Sequence, residues 1–138
     1  MEPCSQGLAL YEGSLSNPVA QHLSKLPDVA VLEQNWVETA ADWLREHKVA
    51  RAFIASHNAP NQFAEESTFY LAALGAGVQY VVGISTTDAN VRPDCDAYYP
   101  RTHWAIEAML ARLSSETSSG LRFSLTSLAT STSPPRQR

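Results

Sequence analysis

Apolar and polar positions alternate along the chain in a way that predicts short strands separated by helices. Apolar runs typical of strands cover residues 8–11, 29–32, 49–55, 78–84 and 121–125, and apolar residues at helical spacing cover 18–25, 37–48, 63–74 and the segment from Tyr98. Strands joined through helices of this length imply right-handed crossovers and a parallel sheet. The chain is therefore predicted to be an α/β domain.

The helix predicted over residues 63–74 has the clearest pattern. Its apolar side chains share one side and are expected to face the sheet: Phe63, Tyr70, Leu71 and Leu74. Glu65 and Glu66 lie in the first turn, where the helix dipole favours acidic side chains. Gly75 and Gly77 then supply a stop at the C-terminal end of the helix.

Composition and charge exclude several classes of protein. The 138 residues suffice for one domain, and the formal net charge of −4 with scattered basic residues argues against a nucleic-acid ligand, which needs a basic face. No stretch approaches the roughly 18 uninterrupted apolar residues of a membrane-spanning helix, and the N-terminus lacks the pattern of a secretory signal. Cys4 and Cys95 share no metal-ligand spacing with each other or with histidines. We therefore expect no metal site, and reduced thiols in the cytoplasm.

Polar clusters follow three of the predicted strands. They are Glu33-Gln34-Asn35, Ser56-His57-Asn58 and Ser85-Thr86-Thr87. Ligands of parallel α/β sheets bind beyond the carboxyl ends of the strands, so these clusters are candidates for one site. Ordinary loop chemistry is the alternative for each cluster alone, because Ser, Thr and Asn favour turns and helix caps.

A fourth cluster, at the start of the last predicted helix, has the spacing of a proton-transfer site. Tyr99 and His103 are four residues apart on one helix face, and Ser85 ends the preceding strand. In short-chain dehydrogenase chemistry such a hydroxyl orients a substrate carbonyl and the tyrosine transfers the proton, helped by a lysine that lowers the tyrosine pKa. His103 stands in place of that lysine and gives less electrostatic help, since free imidazole is mostly neutral near pH 7. In the alternative interpretation these side chains only pack the helix onto the sheet.

Five longer segments carry a resemblance to a known family. They are residues 42–47 (DWLREH), 52–58 (AFIASHN), 63–69 (FAEESTF), 80–87 (YVVGISTT) and 98–107 (YYPRTHWAIE). These segments resemble the NmrA-like family of atypical short-chain dehydrogenases, over a span from residue 15 to residue 114. The resemblance implies a Rossmann fold that binds NAD(H) or NADP(H), in a family whose members are reductases or nucleotide-sensing regulators.

The resemblance also implies roles for residues at the strand ends. Asn35 replaces the acidic residue that usually lies near the adenine. The loop Ser56-His57-Asn58 matches the family's loop beside the cofactor ribose and pyrophosphate, and Ser85 and Thr86 match the wall near the nicotinamide. His103 matches the lysine of the reductase members, and this departure argues against catalysis.

The start of the chain departs from the family pattern. A dinucleotide fold opens with a glycine-rich loop that holds the pyrophosphate, whereas the segment after the first predicted strand has one glycine, Gly13, beside the acidic Glu12. Either residues 8–25 are a degenerate first strand and helix, with Glu33 serving a ribose hydroxyl, or they correspond to the second strand and helix and the first unit is absent. We prefer the second interpretation, because the spacing through residues 29–36 then fits without gaps.

An absent first unit affects the whole sheet, because the first strand of this fold is central. Two strands would lose their hydrogen-bond partners in the middle of the sheet. The predicted fold is thus a three-layer Rossmann-like parallel sheet that lacks an intact first βα unit with its glycine-rich loop, and a truncated gene product is expected. We assign residues 1–125 to a partial NmrA-like NAD(P)-binding domain, and residues 126–138, rich in Ser, Thr and Pro, to a disordered tail.

Three functional hypotheses follow from these observations. In the first, the domain is an NAD(P)H-dependent reductase of a small carbonyl or enone, with Tyr99 as proton donor, Ser85 or Thr86 as carbonyl partner and His103 as a weak substitute for lysine. In the second, it binds a nucleotide or a protein partner without chemistry. In the third, it is an inactive remnant. The missing phosphate loop and His103 favour the second and third hypotheses.

Overall fold

The elements of the computed structural model follow the predicted alternation of strands and helices. The structure describes residues 7–11, 14–86, 88–116 and 122–127. In chain order the elements are β1 (Gly7–Tyr11), α1 (Pro18–Leu23), β2 (Val29–Glu33), α2 (Ala41–Glu46), β3 (Arg51–Ile54), α3 (Gln62–Ala76), β4 (Tyr80–Ser85), α4 (Tyr98–Glu116) and β5 (Arg122–Ser127), with 3-10 turns at Trp36–Glu38 and Asp88–Asn90. The predicted α/β class is confirmed.

The described strands form two parallel sheets, one in each of two compact units of the chain. The first unit, Met1–Thr39, contains β1 paired with β2, and Gly7 lies opposite Val29. The second unit, Ala40–Arg138, contains a sheet of order β3-β4-β5. One continuous sheet was expected. The described strands instead form two separate sheets, of two and three strands.

Two helix ends follow the chemistry of their sequence. Asn17 caps α1, since its Oδ1 accepts a hydrogen bond from the backbone nitrogen of Val19 at 2.9 Å, and Pro18 occupies the first turn. Gly77 ends α3 in the left-handed region, with a φ of 78°. Gly75, which was expected to share in this stop, lies inside α3.

The helix predicted over residues 37–48 is wrong in its first half. The segment Trp36–Glu38 forms a 3-10 turn, and α2 begins only at Ala41. Asn35 caps the turn, because its Oδ1 accepts the backbone N–H two residues ahead at 3.1 Å. Thr39, between the turn and the helix, has extended backbone and is 1% exposed.

The core of the second unit combines strand and helix side chains. Its buried apolar residues include Ile54, Val81, Phe69, Tyr70, Ala73, Ile106 and Leu110. Tyr70 of α3 packs edge-on against Phe123 of β5, with ring centroids 5.6 Å apart. This contact, and the burial of Ile106 and Leu110, fix α3 and α4 on one face of the β3-β4-β5 sheet.

The inward face of α3 differs from the prediction. Tyr70 is buried as expected, but Phe63 is 41% and Leu71 is 51% exposed. Gln62 and Glu66, two turns and one turn before Tyr70, lie inward instead and are 1% and 2% exposed. Glu65 lies in the first turn of α3 as predicted, whereas Glu66 lies beyond that turn. Polar groups are therefore buried where an apolar contact was predicted.

The predicted boundary between domain and tail, at residue 125, falls inside β5. That strand runs to Ser127, where it lies opposite Ser85 of β4. Ladder pairing with β4 accounts for the two additional residues, because each continues the backbone hydrogen bonding of its neighbour. The rest of the predicted tail, residues 128–138, lies outside the described residues.

Candidate functional site

The carboxyl ends of β3 and β4 lie at one edge of their sheet, because the two strands are parallel neighbours. Ile54 lies opposite Gly83, so the loops that follow the two strands leave from the same edge. The structure thereby brings Ser56-His57-Asn58 and Ser85-Thr86 to one edge, and Thr87 lies outside the described residues. Asn35 belongs to the first unit, where its side chain caps the 3-10 turn.

The Ser56 hydroxyl is engaged with a buried carboxylate. Ser56 Oγ donates a hydrogen bond to Glu66 Oε1 and accepts one from Gln62 Nε2 at 3.2 Å. Gln62 Nε2 also donates to Glu66 Oε1 at 2.7 Å, and the Tyr70 hydroxyl donates to Glu66 Oε2 at 3.4 Å. Burial, and next the nearby charge of Glu66, raise the pKa of Tyr70 well above its usual range. Three neutral donors therefore stabilise the Glu66 carboxylate.

His103 joins these groups from α4. Its ring is 1% exposed, and His103 Nε2 lies 3.4 Å from Gln62 Nε2. Because an amide nitrogen only donates, His103 Nε2 is the acceptor and the ring carries its proton on Nδ1. Burial lowers the pKa of His103, and the charges of Glu66 and Glu107 oppose this only in part. His103 is thus a neutral imidazole at neutral pH. We call Ser56, Gln62, Glu66 and His103 the Gln62 cluster.

Tyr99 and His103 are in contact, as their spacing in the sequence suggests. Their ring centroids are 4.6 Å apart and the ring planes are nearly perpendicular, at 88°. Tyr99 is partly buried. An edge-to-face contact of this kind fixes the orientation of the phenol, but a neutral imidazole places no positive charge beside it.

The Ser85 hydroxyl is hydrogen-bonded to a glutamate on α4. It is 3% exposed, and its Oγ donates a hydrogen bond to Glu107 Oε1 at 2.7 Å. A serine hydroxyl has one hydrogen. While Ser85 donates to Glu107, it cannot donate to a substrate carbonyl, which is the role that the reductase hypothesis gives it.

Two of the predicted cofactor-binding residues are open to solvent. The His57 side chain is 55% exposed, and its Nε2 lies 3.9 Å from Glu65 Oε2. Asn61 Nδ2 donates to the other carboxylate oxygen of Glu65, and Asn58 is exposed. His57 and Asn58 therefore present polar atoms that a ligand at this edge reaches without disturbing the core.

The loop between β4 and α4 is held by Arg101. Its Nη1 donates hydrogen bonds to the backbone oxygens of Cys95 at 2.6 Å and Asp96 at 2.9 Å. Carbonyl groups that would otherwise face solvent are thus bound by a fixed guanidinium. This contact ties the loop to the first turns of α4, which carry Tyr99 and His103.

Sequence reasoning missed three residues of this region, namely Gln62, Glu66 and Glu107. Gln62, Glu66 and Tyr70 follow one another at intervals of four residues, so they share one helix face. Glu107 follows His103 by four residues in the same way. This four-residue spacing is a signal in the sequence once polar residues are allowed on a buried helix face.

Among the described residues we searched for a metal site and for a membrane-spanning helix. No group of three His, Cys, Asp or Glu side chains among them is placed to hold a metal ion. No helix among the described residues is long and apolar enough to cross a membrane. Cys95 is a free thiol, while Cys4, Glu12 and Gly13 lie outside the described residues.

Comparisons with known proteins bear on the fold. No protein-family model matches the chain, and no curated protein matches it. Among solved structures it is similar to an NADPH-dependent quinone oxidoreductase of Escherichia coli in complex with NADPH, with a TM-score of 0.59 and 21% identity over 89% of this chain. The chain spans 39% of the length of that protein. The likeness shows the fold, which is Rossmann-like.

Proposed function

We propose that this chain is a dinucleotide-binding module of NmrA-like, short-chain dehydrogenase ancestry that carries no reductase chemistry of its own. The state of the expected catalytic groups supports the proposal most strongly. Ser85 donates its hydrogen to Glu107, and His103 is a buried acceptor of Gln62. Both side chains stabilise the packing of α4, so neither is available to a substrate.

The residues at the β3–β4 edge have side chains that can bind a nucleotide. In Rossmann-like sheets the nucleotide lies beyond the carboxyl ends of the strands, and the structural neighbour is a complex with NADPH. His57 and Asn58 would contact ribose hydroxyls or phosphate oxygens, with Thr86 at the adjoining strand end. NADP(H) or NAD(H) would be held there without transfer of a hydride.

Two residues of the expected reductase site, Ser85 and His103, do not fit their roles. The reductase hypothesis needs a hydroxyl that donates to the substrate and a cation beside the tyrosine. Ser85 has no second hydrogen to donate, and His103 is neutral. Tyr99 keeps its contact with His103, and Thr86 is the other hydroxyl that the hypothesis names as carbonyl partner.

Calorimetric titration with NADPH and NADH tests the binding step. We expect dissociation constants in the millimolar range or tighter. Replacing both His57 and Asn58 with alanine should weaken binding about tenfold, equivalent to about 1.4 kcal/mol. His22→Ala, at an exposed histidine of α1, is the matched control and should leave binding unchanged. Absence of heat at millimolar nucleotide would remove the proposal.

Turnover measurements test the absence of chemistry separately. With NADPH and a quinone or small carbonyl compound, the absorbance of the reduced nicotinamide should fall no faster than in a protein-free blank. Steady oxidation that Tyr99→Phe abolishes would show instead that the chain is a reductase.

A further inference from the structure

The Gln62 cluster has more hydrogen-bond acceptors than hydrogens. Gln62 Nε2 carries two hydrogens but faces three acceptors: Glu66 Oε1 at 2.7 Å, Ser56 Oγ at 3.2 Å and His103 Nε2 at 3.4 Å. The Ser56 hydroxyl hydrogen is also used, because it points to Glu66. Gln62 Oε1 is buried and has no hydrogen-bond partner among the described residues. The hydrogen bond that joins α3 to α4 through Gln62 thus depends on His103 Nε2 remaining an acceptor.

We propose that the Gln62 cluster is a proton-sensitive lock that holds the first turns of α4 against α3 while His103 is neutral and releases them when Nε2 takes up a proton. A protonated Nε2 is a donor, and it would face Gln62 Nε2, which is also a donor. The attraction between the two side chains then becomes a repulsion between two N–H groups. The lock is independent of nucleotide binding.

Rotation of the Gln62 amide does not relieve this repulsion while Glu66 is ionised. Rotation would place Gln62 Oε1 where Nε2 now lies, 2.7 Å from Glu66 Oε1, so that two acceptors would meet without a hydrogen. It would also move the amide hydrogens to the buried place that Oε1 now occupies, where Oε1 has no hydrogen-bond partner among the described residues. Since His103 is 1% exposed, water does not solvate the added charge in the closed state.

The carboxylates around His103 determine how far the pH must fall before release. Glu66 faces the ring from α3 and Glu107 from α4, and both favour the imidazolium ion. Two phenols lie nearby, Tyr99 against the ring and Tyr70 against Glu66. Burial outweighs the carboxylates and lowers the pKa of His103. The lock therefore stays closed at neutral pH and opens below the usual histidine range.

A nuclear magnetic resonance titration of the full-length wild-type chain tests the lock directly. At neutral pH the imidazole nitrogens of His103 should show a proton on Nδ1 and none on Nε2. On acidification the ring should titrate below the ordinary histidine value of about 6.5. Amide hydrogen-exchange protection over residues 99–106 should fall at least tenfold as the ring titrates. A proton on Nε2 at neutral pH, a midpoint at or above the ordinary value, or unchanged protection would each overturn the proposal.

His103→Gln provides the matching variant, because its amide accepts a hydrogen bond but takes up no proton in this range. Protection over residues 99–106 should then be independent of pH, whereas His47→Gln, at an exposed histidine of the same unit, should behave like wild type. If His103→Gln keeps the acid-induced loss of protection, the lock is refuted. If that variant does not fold, the wild-type titration still decides the matter.

Discussion

Replacing Ser56 with alanine removes one hydrogen bond of the Gln62 cluster with little change in volume. Ser56 is one of three donors to Glu66, whose side chain is 2% exposed. A hydrogen bond to a charged group contributes about 1.5–3 kcal/mol, against about 1 kcal/mol for a neutral pair. The remaining donors are Gln62 at 2.7 Å and Tyr70 at 3.4 Å, and neither adds a second strong bond in compensation. We therefore expect Ser56→Ala to lower the free energy of unfolding by about 2 kcal/mol.

Urea unfolding, followed by tryptophan fluorescence and far-ultraviolet circular dichroism, measures this loss. With a slope of about 1.5 kcal/mol per molar urea, the midpoint should fall by about 1.3 M. Ser67→Ala is the matched control, because the Ser67 hydroxyl donates only to a backbone oxygen of its own helix, and its effect should stay within about 0.5 kcal/mol. In a Glu66→Gln background, Ser56→Ala should cost about half as much, since the acceptor is uncharged. A Ser56→Ala midpoint within about 0.2 M of wild type would refute the reasoning.

Three further predictions concern backbone strain, alkaline stability and catalysis. Lys48 has a φ of 51°, in the region that favours glycine. Lys48→Gly should therefore raise the free energy of unfolding, measured by heat or urea, by about 1 kcal/mol. No gain would mean that the backbone of Lys48 is not strained. Burial raises the pKa of Tyr70 in the native state, so the unfolded chain loses this proton first and stability should fall as pH rises above about 10. Tyr70→Phe should flatten that decline in urea unfolding at alkaline pH, and identical slopes would contradict it. His103→Lys places an ammonium group near Glu66 and Glu107 but leaves Ser85 donating to Glu107. The oxidation of NADPH by a quinone should therefore stay at the blank rate. Steady turnover would show that Ser85 is not the limiting group.

Strand positions were predictable because local chemistry determines them. The continuous apolar run that became β4 is typical of a strand buried in a parallel sheet. Asn17 and Gly77 determined helix ends through a cap and a left-handed turn. The inward face of α3 could not be predicted from hydrophobicity alone. Glu66 is buried there because donors from Ser56, Gln62 and Tyr70 converge on it, and that convergence exists only in the folded chain.

The candidate site was predictable only in its local parts. The contact between Tyr99 and His103 follows from their spacing on one helix, and parallel strands carry Ser56 and Ser85 to one edge. The hydrogen-bond partners of Ser85 and His103 are distant from them along the chain. Ser85 donates to a residue 22 positions later, and His103 accepts from one 41 positions earlier. Hydrogen bonds of such long sequence separation leave no periodic signal.

The most direct test of the account is a titration of the isotope-labelled full chain with NADPH, read at each backbone amide and at the histidine rings. Chemical-shift changes should be concentrated in the loop of residues 56–58 and at Thr86. The ring signals of His103 should stay in place, because the Gln62 cluster keeps them buried and neutral. Shifts that spare those loops, or no shift at millimolar NADPH, would contradict the account.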